Sequence, residues 1–213
     1  MSKSLREIYV FHHDKERPEN FSVMENERSI LLKKEIGIGK KVLDIGCRDG
    51  ILTKHFVEGN EVLGIDIDDE SLATAAKNLG IETKSMDLNG NWQELGNRKF
   101  DIIVAGEVIE HLYYPVKVIE KIIKHLNEHG GVLVGSVPNA FSIMHKIRYL
   151  KSSKRFTPLD DPTHINHFSY GELKKLLENY FKEVRIIGLG RYAYLSKKFP
   201  SLFAFDLFFV AKK

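Results

Sequence analysis

From about residue 40 onward, two periodicities alternate along the chain. Short β-branched or apolar runs at 41–45, 61–66, 81–86, 100–105 and 132–137 have the length and composition of buried strands. Between them apolar positions recur at helical spacing: Leu72, Ala75, Ala76 and Leu79 form one stripe, and Val116, Ile119, Ile123 and Leu126 another. Strands alternating with helices need right-handed crossovers, and so a parallel sheet covered on both faces. The pattern predicts an α/β fold.

The last third reads differently. Residues 139–150 predict a helix with a basic side, and 151–167 an irregular stretch containing Pro158 and Pro162. Ser169 and Glu172 have capping-box spacing, and Phe168 can staple onto Leu173. The helix they open carries Leu173, Leu176, Leu177 and Tyr180 along one face. Two apolar segments, 181–188 and 203–211, then pair as a hairpin at the sheet edge. The intervening 189–202 is long for a hairpin loop and is expected to cover something. No repeat or low-complexity segment interrupts the chain. The expected organisation is a polar, flexible arm over residues 1–20 and a single domain over 21–213, with 139–170 covering the substrate site.

Composition narrows the class. At 213 residues, with 43% apolar and 29% charged positions, the chain suits one soluble globular domain. A net charge of +3 spread along the sequence singles out neither nucleic acid nor membrane as a partner. The lone Cys47 excludes an internal disulfide and a cysteine-based metal cluster. No signal-peptide pattern opens the sequence, and the longest apolar stretch, 201–211, is interrupted by Asp206. A cytoplasmic protein without membrane insertion, as a monomer or homodimer, is the expectation.

The strongest chemical signal is Val42-Leu43-Asp44-Ile45-Gly46-Cys47-Arg48-Asp49-Gly50, a strand running into a glycine-bearing turn and then a helix. Glycine at a strand's end lets backbone approach a ligand at the carboxyl edge of the sheet. Asp66, at the end of the next strand, is placed to accept hydrogen bonds from ribose hydroxyls. Both features suit an adenosine-type cofactor, so NAD must be weighed. The dinucleotide fingerprint needs three glycines, and here its positions hold Gly46, Arg48 and Ile51. An acid at Asp44, just before the turn, suits a ligand carrying an ammonium and a sulfonium instead. NAD is rejected.

These motifs resemble those of class I S-adenosylmethionine-dependent methyltransferases. Asp44-Ile-Gly-Cys-Arg-Asp-Gly50 resembles their first motif, Gly64-Ile-Asp66-Ile67 the second, and Ser85-Met-Asp87-Leu88 the adenine-contacting third. Phe100-Asp-Ile-Ile-Val-Ala-Gly-Glu107-Val-Ile-Glu110-His111 is similar to the fourth-strand motif of ubiquinone-type O-methyltransferases, and residues 130–139 to the fifth strand. The resemblance implies a Rossmann-like three-layer sandwich around a mostly parallel seven-stranded sheet with an antiparallel C-terminal strand. It also implies S-adenosyl-L-methionine as cofactor and S-adenosyl-L-homocysteine as product. Asp44, Gly46, Cys47, Arg48, Asp66, Ile67, Asp87, Leu88 and Glu107 are the cofactor-binding positions it carries over.

One departure stands out: Arg48 occupies a position where the family usually has a small residue, most often glycine. The expectation is that Arg48 turns outward with ordinary φ; contact with the cofactor carboxylate is the sharper alternative. A second resemblance lies in the tail. Pro138-Asn139, Thr157-Pro158, His164-Ile-Asn-His167 and Pro200-Ser-Leu-Phe-Ala-Phe-Asp206 are similar to the methionine-biosynthesis W proteins, partners of a homoserine acyltransferase. That resemblance implies a non-catalytic partner role as the alternative reading.

Methyl transfer is an in-line displacement, so the protein must align an acceptor, exclude water and accept a proton. His111, following the fourth strand, is the first candidate base, and His164 and His167 lie in the covering segment. The two could share a metal, but no third ligand is evident and none is expected. Glu107 and Glu110 read as partly structural. The basic cluster His145, Lys146, Arg148, Lys151, Lys154 and Arg155 reads as a solvated face or as an attractor for an acidic small-molecule acceptor. Trp92, Phe181 and the 203–209 aromatics read as packing; Tyr9, His12 and His13 could form a lid. Nucleic-acid methylation is disfavoured, because Ala105-Gly106-Glu107 stands where a base-amine enzyme carries an Asn/Asp-Pro-Pro-aromatic loop. An RNA or protein methyltransferase is therefore the remoter alternative to a small-molecule enzyme.

Overall fold

The computed structural model describes residues 21–213 and, before them, Glu7; the arm and lid expected further upstream lie outside the described residues. The described residues form one seven-stranded sheet in the order β3-β2-β1-β4-β5-β7-β6. Its parallel half comprises β1 (Lys41–Ile45), β2 (Glu61–Asp66), β3 (Glu82–Ser85), β4 (Ile102–Gly106) and β5 (Val132–Pro138). β7 (Asp206–Lys212) runs antiparallel between β5 and the edge strand β6 (Glu183–Leu189). The expected C-terminal hairpin is present, inserted so that its second strand completes the sheet. Two short helices, Ala193–Lys198 and Pro200–Phe203, occupy the stretch that was too long for a loop.

Alternation along each strand divides the apolar residues between two layers. Leu43, Ile45, Leu63, Ile65 and Ile103 face one cluster, packed by Val118, Ile119 and Ile122 of the helix Pro115–His125 and by Leu173 and Leu177 of the helix Tyr170–Glu178. Val42, Val62, Ile102 and Val104 face the other, with Leu32 and Ile36 of the helix Glu25–Ile36 and Ala75 of the helix Asp69–Leu79. The layers are therefore helix, sheet and helix. In chain order these helices are α1 (Glu25–Ile36), α2 (Asp69–Leu79), α3 (Pro115–His125), α4 (Ile143–Leu150), α5 (Tyr170–Glu178), α6 (Ala193–Lys198) and α7 (Pro200–Phe203).

Local signals explain most boundaries. Asp68 caps α2 by accepting from Glu70 N and Ser71 N, and Gly80 ends it in the left-handed conformation. Ser169 and Glu172 form the expected capping box on α5. The stripe on α3 differs from its sequence reading: Val116 is exposed, and Val118 and Ile122 are buried beside Ile119. Pro115 starts that helix at its first position, which sets the phase. Trp92 and Phe181 pack in the core as expected, whereas Phe205 is exposed at the cavity rim.

At the centre of the sheet, β4 and β5 approach too closely for a side chain at Gly135: an added Cβ would sit 2.0 Å from the Ala105 carbonyl oxygen and 2.8 Å from the Phe209 ring. Gly135→Ala is expected to lower unfolding stability by about 3 kcal/mol, the upper end for core overpacking. Urea denaturation checks this, and an unchanged midpoint would contradict the packing described.

Candidate active site

Strand order reverses between β1 and β4, and the loops leaving their carboxyl ends diverge there to open a crevice. A cavity of about 950 Å³ occupies it. The turn after β1 forms one wall. Gly46 and Cys47 donate their amides to Ile65 O (2.7 and 3.2 Å), and Arg48 N donates to Asp66 Oδ2 at 3.0 Å. The turn is thereby tied to β2. Gly46 has φ +70°, and a Cβ there would meet Val108 Cγ2 at 2.5 Å, so both conformation and packing require glycine.

Arg48 departs from its sequence reading. Its φ is +51°, left-handed rather than ordinary, because the turn must aim the Arg48 amide at Asp66. Its guanidinium reaches Phe21 O at 3.5 Å. A non-glycine residue in this region costs about 1–2 kcal/mol, which the Asp66 hydrogen bond offsets. Glu107 is likewise left-handed, at φ +61°, where β4 ends; its Oε1 accepts from Ser136 Oγ at 3.1 Å.

The acids sit around this turn. Asp66 accepts from Ile67 N (2.7 Å) and Asp68 N (3.0 Å) as well as from Arg48, which fixes its carboxylate at the cavity wall. Asp44 is buried and accepts from Thr53 Oγ1 at 2.6 Å. Burial raises its pKa to about 7, with the Thr53 hydrogen bond opposing the shift, the Asp66 charge adding to it and Arg28 opposing it. Asp87 accepts from Asn89 N at 2.8 Å on the far wall, beside Leu88, and both line the cavity. Cys47 also lines it, but burial pushes the thiol well up, so it is no nucleophile.

Arg28 is the cavity-lining candidate that sequence reasoning missed. It is 2% exposed and donates from Nη1 to Ser22 Oγ and Val23 O, both at 3.1 Å. Its Nη2 is buried with no hydrogen-bond partner, and it lies where a Cβ on Gly106 would approach to 2.7 Å. A signal did exist: Arg28, Leu32 and Ile36 fall at i, i+4, i+8, so this arginine occupies a buried stripe.

The opposite end of the cavity holds the histidines. His111 closes a 3-10 turn, Ile109–His111, and donates from Nδ1 to Thr163 O at 2.9 Å. His164 does the same to Pro158 O at 2.9 Å. The two rings lie 4.8 Å apart, and in the neutral tautomers these bonds select, each Nε2 carries the lone pair. Glu110 Oε1 is 4.0 Å from His111 Nε2, and Asp161 Oδ2 is 3.6 Å from His164 Nε2. Glu110, His111 and His164 each present one ligand atom within 4.8 Å of the others. The third donor that the sequence did not show thus joins His111 and His164. His111 and His164 line the cavity, whereas His167, which stays near His164, does not.

The basic cluster also divides. His145 is buried, donates to Asn139 O at 2.9 Å, and has its pKa lowered chiefly by burial, so it leaves the charged set. Arg148 lines the cavity and donates to Arg155 O and Phe156 O (3.0 and 2.8 Å). Lys146, Lys151, Lys154 and Arg155 are exposed outside it.

Comparison with known proteins gives the family and the fold. Residues 17–180 match the family described as a methyltransferase domain. The ubiquinone biosynthesis O-methyltransferase of Psychrobacter cryohalolentis is 30% identical over 178 residues, covering 78% of this chain and 68% of that protein. Its counterpart from Photobacterium profundum is 29% identical over 147 residues; the match covers 66% of this chain and spans only 62% of that protein's length. A SAM-dependent methyltransferase from Archaeoglobus fulgidus shares the fold, with a TM-score of 0.66 at 18% identity, over 97% of this chain and 99% of its own.

Replacing Arg48 by glycine relieves a left-handed side chain while keeping the amide that holds Asp66. Arg48→Gly is expected to raise stability by up to about 1 kcal/mol. A thermal midpoint lowered in this variant would show that the side chain, not the amide, holds the turn.

Proposed function

The chain belongs to the class I S-adenosylmethionine-dependent methyltransferases, and on that premise we propose that it transfers a methyl group to oxygen of a small hydroxyl-bearing acceptor. The observation that carries this reading is one continuous cavity with different groups at its ends: Asp44, Asp66 and buried Arg28 at the glycine turn, and the His111–His164 pair with Asp161 at the other. When bound, the cofactor supplies a methyl group on an activated sulfonium. The residues present suit its amino-acid end. Arg28 Nη2, buried without a partner, suits a carboxylate, and ionised Asp44 suits an ammonium. Asp66, held by three amides, suits the ribose hydroxyls, and Asp87 with Leu88 suits the adenine. Ile67 and Glu107 complete this wall.

The acceptor side falls to His111 and His164. In its Nδ1–H tautomer, His111 can take the acceptor's hydroxyl proton on Nε2, and buried Glu110 beside it stabilises the imidazolium that results. The 157–164 segment borders this end of the cavity, where it would shield the reacting atoms from water. The two relatives, both ubiquinone biosynthesis O-methyltransferases, support oxygen as the acceptor atom. Arg148 at the cavity wall supports an acceptor that carries an acidic group.

A second reading is favoured by the ligand set itself. Glu110, His111 and His164 could hold a divalent cation, with each histidine oriented by a backbone carbonyl as metal-bound histidines usually are. Such a cation would act as a Lewis acid on the acceptor hydroxyl. Transfer of radiolabelled methyl from S-adenosylmethionine to a panel of phenolic and enolic hydroxyl compounds tests the proposal. His111→Ala is expected to lower kcat about 10²–10⁴-fold while cofactor binding holds. Activity surviving a chelator assigns His111 as the base; activity lost and restored by magnesium or manganese assigns the cation. No turnover on any acceptor, from protein that binds the cofactor, would contradict the enzyme reading and favour a non-catalytic partner role.

A further inference from the structure

α4 turns its apolar face away from the protein. Ile143, Ile147 and Leu150 recur at i, i+4, i+7 on one side, and all three are exposed, Leu150 by 87%. The opposite side of the helix is the seated one, with His145 buried against Asn139 and Phe205. Met144 and, beyond the helix, Phe156 at 69% extend the exposed apolar surface. Lys146 and Lys151 flank it, and Lys154 and Arg155 follow.

A second segment continues this face. α7 packs on α4, and Asn139 Nδ2 donates to Ala204 O at 3.0 Å, fastening the two segments together. Tyr194, 72% exposed, and exposed Phe199 and Leu202 stand here among Arg191, Lys197 and Lys198. Lys198 lies over both the Tyr194 and the Phe199 ring, at 5.7 and 5.6 Å. From Asn139 to Leu159 and from Gly190 to Phe205 the sequence contains no Asp or Glu. These two acid-free segments hold eight lysines and arginines, in a chain whose overall net charge is only +3.

We propose that this face docks on an anionic phospholipid surface and opens the acceptor cavity toward it. Exposed branched and aromatic side chains ringed by lysines match the two layers of a membrane interface, acyl boundary and phosphate headgroups. Nucleic acid offers no counterpart for an exposed Ile143–Ile147–Leu150 stripe. No described helix is long and apolar enough to cross a membrane, so the contact is peripheral. Phe156, Thr157 and Arg148 line the cavity where it meets this face, so an acceptor dissolved in the bilayer would reach the cavity without passing through water. The docking itself does not depend on the proposed reaction, because it is read without any methyl transfer.

The full chain is sedimented with vesicles of phosphatidylcholine alone and of phosphatidylcholine mixed with phosphatidylglycerol. Co-sedimentation with the anionic vesicles only, released by high salt, is expected. Ile147→Asp combined with Leu150→Asp should abolish it, and Lys151→Ala combined with Lys154→Ala should weaken it about fivefold per cation removed. All four positions are exposed, so an unchanged thermal midpoint confirms that each variant is folded. Absence of binding to either vesicle, equal binding to both, or retention by single-stranded RNA in preference to vesicles would each overturn the proposal.

Discussion

The turn after β1 can hold its left-handed residues only because β2 receives its amides. Ile65 O takes two of them and the Asp66 carboxylate takes the third. With those donors occupied at the sheet's edge, the chain from Gly46 to Arg48 is fixed in one path. Asp44 then lies buried beneath the turn at the cavity wall, and Asp66 stands beside it. Parallel pairing of β1 with β2 in a single register sets both positions, since a one-residue slip would send Asp66 and its neighbours to opposite faces. The buried acids and Arg28 form a group that is costly without a ligand. Desolvation holds Asp44 partly protonated near neutrality, and one guanidinium nitrogen of Arg28 has no partner. A zwitterionic amino-acid end would satisfy both.

Charge is segregated across the molecule in a way that matches the division of labour. The glycine-turn end collects carboxylates. The acceptor end collects imidazoles whose Nδ1 protons are committed to the carbonyls of Thr163 and Pro158. The outer face beyond it collects lysines and exposed apolar side chains. The 157–164 segment belongs to two of these regions at once. It supplies His164 to the cavity, carries the carbonyls that orient both histidines, and borders the face formed by α4. The proposed cofactor end, the proposed acceptor end and the basic apolar face therefore follow one another along the cavity.

Much of this was legible in the sequence, and the omissions have physical causes. The strands could be read because both faces of the sheet are covered, which makes them continuous apolar runs. Asp44, Gly46 and Asp66 could be read because strand ends place chemistry at a known edge. Arg28 escaped because Ile30, Leu31 and Leu32 run consecutively in α1, so the apolar positions alone did not single out the side that Arg28 shares with Leu32 and Ile36. Pairing of His111 with His164 escaped because it joins residues 53 positions apart through an irregular segment, where no period exists to be read. His167, three residues further on, lies off the cavity lining. The φ of Arg48 was misjudged for a related reason: side-chain type favours ordinary backbone, but the amide's obligation to Asp66 prevails.

The most direct test of the cofactor site at the glycine turn is calorimetric titration with S-adenosylhomocysteine across neutral pH, on the native chain and on Asp44→Asn. Folded Asp44 titrates at about 7, above the ordinary carboxylate range, so it gains a proton as pH falls through that value and loses its attraction for the ligand's ammonium. Saturable binding that weakens between pH 8 and pH 6, by up to about tenfold per unit below 7, is the expected result, with the variant weaker and flat across the same range. Binding by native protein that ignores pH, or a folded sample that takes up no ligand, would contradict the account.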